Sequence, residues 1–358
     1  MSTVFAWQMQ QVGQPMQRVQ GELPEPAEDE VRVRVVGCGV CHTDLGFFYE
    51  GIPTVKSPPL VLGHEISGFV EAAGSRYQHL MGKAVIVPAV LPCGECALCQ
   101  KGRGNICRRQ KMPGNHIDGG FASHIVVPGR YLCPVEVQSG SEPFGESGVT
   151  LKELSVIADA VTTPYQAIRN TGLQPGDLAI FIGVGGIGGF GVQLASALGA
   201  RVVAIDVDER KLQKLAQFGA DLTINPADKS SKDIRKEIQG FAKKNGLSPF
   251  EWKIFETSGT AKGQELAFGL MTFGATLAVV GFTMNKVQLR LSNLMAYDAR
   301  AIGNWGCLPE YYPEVLELVR QGKVQIAPFV QTFPMSQINE VFEKVHHREI
   351  EHRPVLVP

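Results

Sequence analysis

The first third of the chain alternates charged and β-branched residues over short runs, the period-two pattern of half-buried strands. Residues 31–36 (VRVRVV) are the clearest case, and 84–87 and 124–127 read the same way, each bounded by glycine or proline. From residue 177 the texture changes. An apolar run over 178–182 meets a glycine cluster, a helical stretch runs to residue 198, and a second apolar strand follows over 201–205. The alternation continues with a helix over 209–218, a strand over 222–224, a helix over 231–245 and a strand over 252–256. A helix over 262–271 and a strand over 276–281 complete it. Strands and helices taken in turn predict an α/β fold with a doubly wound parallel sheet. The tail reads as a helix over 313–320, an extended stretch near 328–333 and a helix over 336–346. The expected organisation is therefore a β-rich domain over 1–160, a dinucleotide-binding domain over 161–306, and a return to the first domain over 307–358.

Composition narrows the class without naming it. The 358 residues are 44% hydrophobic and 19% charged, with a net charge of -1, which gives no sign of a basic face for nucleic acid. No apolar stretch reaches the ~20 residues of a membrane span, and residues 1–18 lack the apolar centre of a secretion signal. Thiols clustered for metal and no visible export signal lead to the expectation of a reducing cytoplasm.

Half of the eight cysteines fall in one short run. Cys93, Cys96, Cys99 and Cys107 form C-x2-C-x2-C-x7-C, the spacing of a closed, tetrahedral, structural zinc site. The alternative is a set of buried or disulfide-paired thiols. A saturated four-thiolate site holds structure, so the chemistry is expected elsewhere.

A glycine run stands between a predicted strand and a predicted helix. Gly183, Gly185, Gly186 and Gly188 fit G-x-G-x-x-G, in which backbone approaches a pyrophosphate seated at the helix N-terminus. Asp206 lies eighteen residues after Gly188, at the end of the next strand, where a carboxylate accepts from ribose hydroxyls and disfavours a 2′-phosphate. NAD is the expected cofactor. Lys211 is a second candidate for the ribose, with a solvated lysine as the alternative.

The segments Gly39-Val40-Cys41-His42-Thr43-Asp44 and Gly63-His64-Glu65 hold the next concentration of chemistry. Cys41 and His64 are ligand types for a zinc that keeps one position open, and Asp44 and Glu65 are carboxylates suited to orienting an imidazole. A satisfied core histidine is the alternative for His64.

Together with the four-cysteine lobe (93–107), Gly-Gly-Phe-Ala at 119–122, the glycine fingerprint and Asp206, these segments resemble the zinc-dependent medium-chain alcohol dehydrogenases over nearly the whole chain. The resemblance implies a GroES-like catalytic domain joined to a Rossmann domain, NAD, two zinc ions per subunit (one catalytic, one structural) and a homo-oligomer, dimer or tetramer. It implies that Cys41 and His64 bind the catalytic zinc, that Thr43 takes the substrate proton, and that His42 lies near the cofactor pyrophosphate. Many relatives place a cysteine six residues before the tyrosine of a Thr-x-Tyr-x-Ala element. Here that element is Thr163-Pro164-Tyr165-Gln166-Ala167, and the residue is Asp159. An aspartate ligates zinc with the same formal charge as a thiolate. The third ligand is therefore expected to be Asp159, with Glu65 as the alternate. Gly46 stands where some relatives carry a histidine that ends a proton relay, which leaves the proton exit open.

Segments 85–99, 111–127, 158–167 and 291–307 further resemble the 6-hydroxycyclohex-1-ene-1-carbonyl-CoA dehydrogenases of anaerobic benzoyl-CoA breakdown. That finer resemblance implies a CoA-ester substrate oxidised to 6-oxocyclohex-1-ene-1-carbonyl-CoA. Arg108, Arg109 and Lys111 are then candidates for its phosphates, against the alternative of a solvated charge run, and His116 and Trp305 for the substrate pocket, against that of structural roles. Other secondary alcohols or polyols share the same metal and cofactor residues. A non-enzymatic zinc module is the reading from a different class, and the net charge of -1 speaks against it.

Overall fold

The computed structural model describes residues 4–22 and 25–358. The chain divides into two compact units, Met1–Thr162 with Gly306–Pro358, and Thr163–Trp305.

The second unit is a six-stranded sheet in the order Leu222–Ile224, Arg201–Ile205, Leu178–Ile182, Lys253–Glu256, Thr276–Val279, Arg300–Gly303. Every pairing is parallel. This is the doubly wound order in which the chain starts at the centre and works outward on each side. Leu178–Ile182 is buried at every position, as a central parallel strand covered on both faces must be. Phe181 stacks on Phe255 of the neighbouring strand with centroids 4.4 Å apart. The helix Ser231–Lys244 starts where Ser230 accepts from the Asp233 N–H while the Asp233 side chain reaches back, a reciprocal cap that satisfies two orphan donors. It buries Ile234, Ile238 and Ala242, a stripe at every fourth residue, against the sheet. Each isoleucine so buried contributes roughly 1.5–3 kcal/mol.

Two elements on this unit carry no sequence signal of the expected kind. The helix Ser292–Tyr297 has no buried residue, and the edge strand Arg300–Gly303 is mostly exposed. Without a buried face there is no stripe to read.

In the first unit the central strand is Glu30–Gly39, longer than the expected 31–36. Val31, Val33 and Val35 point inward while Arg32 and Arg34 do not, as the alternation requires. The strand pairs along its length with Glu65–Ala73, with register shifts at Arg32/Val33 and Val35/Gly37. On its other side it meets His124–Pro128 at one end and Arg353–Val357 at the other. Its last three residues are all buried. They deliver the chain to Cys41 at the same level as His64, which immediately precedes the paired strand. A three-stranded antiparallel sheet (Gln17–Gln20, Phe5–Met9, Leu60–Val61) lies in the same unit.

Candidate active site

Cys41 is the N-cap of the helix His42–Phe48, and Asp44 at the third helical position locks the turn by accepting from the Cys41 N–H at 3.0 Å. The other oxygen of Asp44 accepts from Gly63 N–H at 3.1 Å and faces His64 Nδ1 at 3.3 Å. That contact is long for a hydrogen bond, and Nδ1 has no hydrogen-bond partner among the described residues. It leaves Nε2 pointing away from Asp44, 3.6 Å from Asp159 Oδ2, and the same oxygen is 3.4 Å from Cys41 Sγ. The donor atoms of Cys41, His64 and Asp159 all lie within 4.8 Å of one another. Burial works to lower the His64 pKa, yet Asp44, Asp159 and Cys41 outweigh it and hold the imidazole well above its ordinary value.

Asp159 follows a 3-10 helix, Glu153–Ala158, and comes from a part of the chain remote from the other two. Glu65 stands beside the cluster but faces another partner. Arg353 grips it with two parallel hydrogen bonds, Nε to Oε2 and Nη2 to Oε1, both 2.7 Å, and the Ala160 N–H donates to Oε1 at 2.8 Å. Glu65 and the Arg353 side chain are both buried. The guanidinium also approaches Asp159 Oδ2 at 3.8 Å. Arg353 was not anticipated from the sequence. A lone arginine near the end of the chain, 288 residues from its partner, offers no local signal.

The charges test whether zinc fits here. Arg353 neutralises Glu65, which leaves Asp44, Asp159 and the Cys41 thiol around a single imidazole. With the thiol ionised, three anionic groups packed around one imidazole are costly unless a cation joins them. For a tetrahedral zinc with ~2.3 Å to sulfur and ~2.0–2.2 Å to nitrogen or oxygen, the edges of the ligand polyhedron are ~3.4–3.6 Å. The distances to Asp159, 3.4 and 3.6 Å, suit that ion.

The cysteine lobe passes the same test. Thiolates at ~2.3 Å from a central zinc stand ~3.8 Å apart. Here the Sγ–Sγ separations are 3.5 Å (Cys96–Cys99 and Cys93–Cys107), 3.7 Å (Cys96–Cys107) and 3.9 Å (Cys93–Cys99). Backbone N–H groups of Glu95 and Arg109 point at Cys93 and Cys107, as expected where thiolate charge is held. Arg109 also pairs with Glu95 at 3.5 Å, and Lys111 with Glu30 at 3.6 Å, both at the surface.

Thr43 is half-buried with its hydroxyl 3.7 Å from Cys41 Sγ, and His42 is exposed at the first position of the same helix. Gly46 is buried within it; a Cβ there would lie 2.8 Å from Ile52 Cδ1, so a larger residue requires Ile52 to move. His116 is half-buried on the turn following Met112. In the second unit Trp305 is 48% exposed.

The glycine loop closes the strand Leu178–Ile182. Gly183 adopts φ +83°, and a Cβ on it would fall 2.3 Å from the Ser258 backbone, so only glycine fits. The helix Gly186–Ala197 begins directly after, with Gly185 as N-cap and Gly188 buried in its first turn. Asp206, after the next strand, accepts from Val184 N–H at 2.8 Å through one oxygen and from Asp208 N–H at 2.9 Å through the other. Lys211 Nζ lies 4.0 Å from the point where a Gly185 side chain would begin. The glycines, Asp206 and Lys211 thus share one corner of the sheet.

Residues 27–137 match the family "Alcohol dehydrogenase GroES-like domain", and residues 186–321 match "Zinc-binding dehydrogenase". An alcohol dehydrogenase of Geobacillus stearothermophilus is 30% identical over 97% of this chain and 98% of its own length. A second alcohol dehydrogenase of that organism is 30% identical over 94% and 93% respectively. Among solved structures, galactitol-1-phosphate dehydrogenase from Escherichia coli superposes with a TM-score of 0.86 at 26% identity, covering all of both chains. The chain belongs to the zinc-dependent medium-chain alcohol dehydrogenases, and it is a zinc-containing oxidoreductase acting on an alcohol.

Proposed function

We propose that the enzyme oxidises a secondary alcohol with NAD, using Cys41, His64 and Asp159 to hold one zinc and Cys93, Cys96, Cys99 and Cys107 to hold a second. The convergence of Cys41, His64 and Asp159 from three distant segments carries this reading. When bound, zinc supplies Lewis acidity toward an alcohol oxygen and NAD supplies the hydride acceptor.

The chain's own residues do the rest. Asp44 fixes the ring of His64 so that Nε2 faces Cys41 and Asp159. Arg353 removes Glu65 from competition by occupying both its oxygens. Thr43, next to Cys41, is the hydroxyl placed to receive the alcohol proton, and exposed His42 is a carrier toward solvent. With Gly46 in the helix, no histidine stands at that position to finish the relay, so exposed His42 or water is left to carry the proton out. Asp206, held beside the glycine loop, would accept from the ribose hydroxyls of NAD and by its charge disfavour a 2′-phosphate.

For the substrate, the resemblance of segments 85–99, 111–127, 158–167 and 291–307 supports the CoA ester 6-hydroxycyclohex-1-ene-1-carbonyl-CoA. The similarity to galactitol-1-phosphate dehydrogenase supports a second reading, a polyol or its phosphate. Reduction of NAD, assayed against the cyclic hydroxy-enoyl-CoA, simple secondary alcohols and polyols, separates them. Turnover of the CoA ester alone establishes the first reading; turnover of polyols alone establishes the second.

A homo-oligomer completes the proposal. The sheet of the second unit ends on an exposed strand, Arg300–Gly303, and Phe282, Met284, Leu291 and Met295 in the same unit are each at least 65% exposed. Such an edge is an association surface unless covered. Light scattering of the wild type against Met295→Asp tests it: a shift toward monomer supports the edge as interface. No helix among the described residues is long and apolar enough to cross a membrane. None of the eight cysteines is joined in a disulfide, in keeping with the proposed reducing cytoplasm.

A further inference from the structure

We propose that Glu256 is a positioning residue for the glycine loop, and that its buried carboxylate sets how tightly the dinucleotide binds by holding the turn 257–259 against Gly183. The inference rests on the reading of that loop as the dinucleotide site.

Glu256 ends the strand Lys253–Glu256, in register with Ile182 on one side and Val279 on the other. It is fully buried and forms no ion pair among the described residues. Its Oε1 accepts three hydrogen bonds, from Ser258 N–H at 2.8 Å, the Ser258 hydroxyl at 2.5 Å and Gly259 N–H at 3.1 Å. Its Oε2 has no hydrogen-bond partner and lies 2.7 Å from where a Gly281 side chain would start. A carboxylate buried without a cation is expensive, and an apolar side chain would be cheaper to bury there. What Oε1 provides, and an apolar side chain would not, is an acceptor for the donors of the turn.

That turn touches the glycine loop at two points. Thr257 N–H donates to Ile182 O at 2.9 Å, and its hydroxyl donates to Gly183 O at 2.6 Å. Ser258 Cα sits 2.3 Å from the place a Gly183 Cβ would occupy, and Thr257 Oγ1 sits 2.6 Å from the corresponding point at Gly188. The first and last glycines of the fingerprint are therefore packed against residues whose backbone is shaped by Glu256. On the far side, Val280 and Gly281 N–H groups both donate to the Glu256 carbonyl at 2.9 Å. Glu256 and Thr257 together tie the ends of three adjacent strands.

The acceptor geometry, not the charge, carries the role. Glu256→Gln keeps Oε1 in place; Glu256→Leu leaves the turn's donors unpaired; Thr257→Val keeps shape and loses the tie to Gly183. The test measures dissociation constants of NADH and NADPH by fluorescence, together with hydrogen exchange of residues 183–188 in cofactor-free protein. Glu256→Leu and Thr257→Val are expected to weaken NADH binding about tenfold, the scale of one or two lost buried hydrogen bonds, and to speed exchange of the loop. Glu256→Gln is expected to stay within about threefold of wild type, with turnover at saturating cofactor and zinc content unchanged in all three. Should Glu256→Leu fail to fold, Thr257→Val and Glu256→Gln decide the matter. Wild-type NADH affinity and exchange in Thr257→Val, or a Glu256→Gln as impaired as Glu256→Leu, would overturn the inference. A wild type that binds neither NADH nor NADPH overturns the dinucleotide reading itself.

Discussion

Asp159 Oδ2 stands 3.4 Å from Cys41 Sγ although 118 residues separate them in the chain. Two acidic donors brought that close inside a protein repel when ionised, unless a cation joins them. The same oxygen faces His64 Nε2, so three ligand types of zinc meet at one point. The residues around this point divide into those that touch the metal position and those that keep it in shape.

Arg353 belongs to the second group. Replacing it with methionine leaves the buried Glu65 carboxylate without its cation, a loss of about 3–5 kcal/mol on the usual scale for breaking a buried pair. Urea unfolding of Arg353→Met should show that loss, and adding Glu65→Gln should recover much of it. A single variant destabilised by less than about 1 kcal/mol contradicts the assignment.

The two metal clusters should fail differently. Cys99→Ala is expected to lower Tm by at least about 5 °C, because a closed thiolate site contributes folding energy. Cys41→Ala is expected to abolish turnover, by about a thousandfold or more, with Tm within a few degrees of wild type. Differential scanning calorimetry beside steady-state assays separates them; equal effects on both readouts would contradict the division of roles.

Much of this was legible in the sequence, for local reasons. The four-cysteine spacing and the glycine fingerprint are contained in single short segments, so spacing alone reports them. The parallel strands announce themselves because burial on both faces demands unbroken apolar runs such as 178–182. Cys41 and His64 were marked by their neighbours, whereas Asp159 stood out only by resemblance. Arg353 and Glu256 were silent, because each acts through partners that the fold supplies: one reaches across 288 residues, the other across neighbouring strand ends. The strand Glu65–Ala73 (EISGFVEAA) went unread since its first four residues are all buried and the alternation is lost. The helix Ser292–Tyr297 and strand Arg300–Gly303 lack a buried stripe altogether.

Asp206 should govern cofactor choice. Both its oxygens already accept from backbone N–H groups, which fixes the carboxylate beside the glycine loop. Asp206→Asn cannot accept at both points and no longer repels a phosphate. The KM for NAD is expected to rise about tenfold, on the ~1.5–3 kcal/mol scale of a charged hydrogen bond, while the NADP/NAD preference shifts toward NADP by a similar factor. Steady-state kinetics with both cofactors checks this; an unchanged preference counts against the role given to Asp206.

Glu256 should leave a signature in the pH dependence of stability. Burial pushes its carboxyl above the ordinary carboxylate range, against the hydrogen bonds from Ser258 and Gly259 that lower it. The folded chain then holds this proton at pH values where the unfolded chain has released it. The contribution is fully present below the unfolded value of about 4.3 and is lost as pH rises through the higher folded value. Glu256→Gln has no such proton to lose. Unfolding free energies measured from about pH 4 to about pH 8 should move in favour of Glu256→Gln as pH rises. A difference that stays flat over that window contradicts the buried, raised carboxyl.

If Cys41, His64 and Asp159 together hold a zinc, the metal content of the purified protein reports it. Zinc counted per chain by mass spectrometry should be about two in the wild type and about one in Asp159→Ala, with the four-cysteine lobe intact and turnover lost. An Asp159→Ala protein that keeps both ions and full activity would show that the carboxylate is not a ligand.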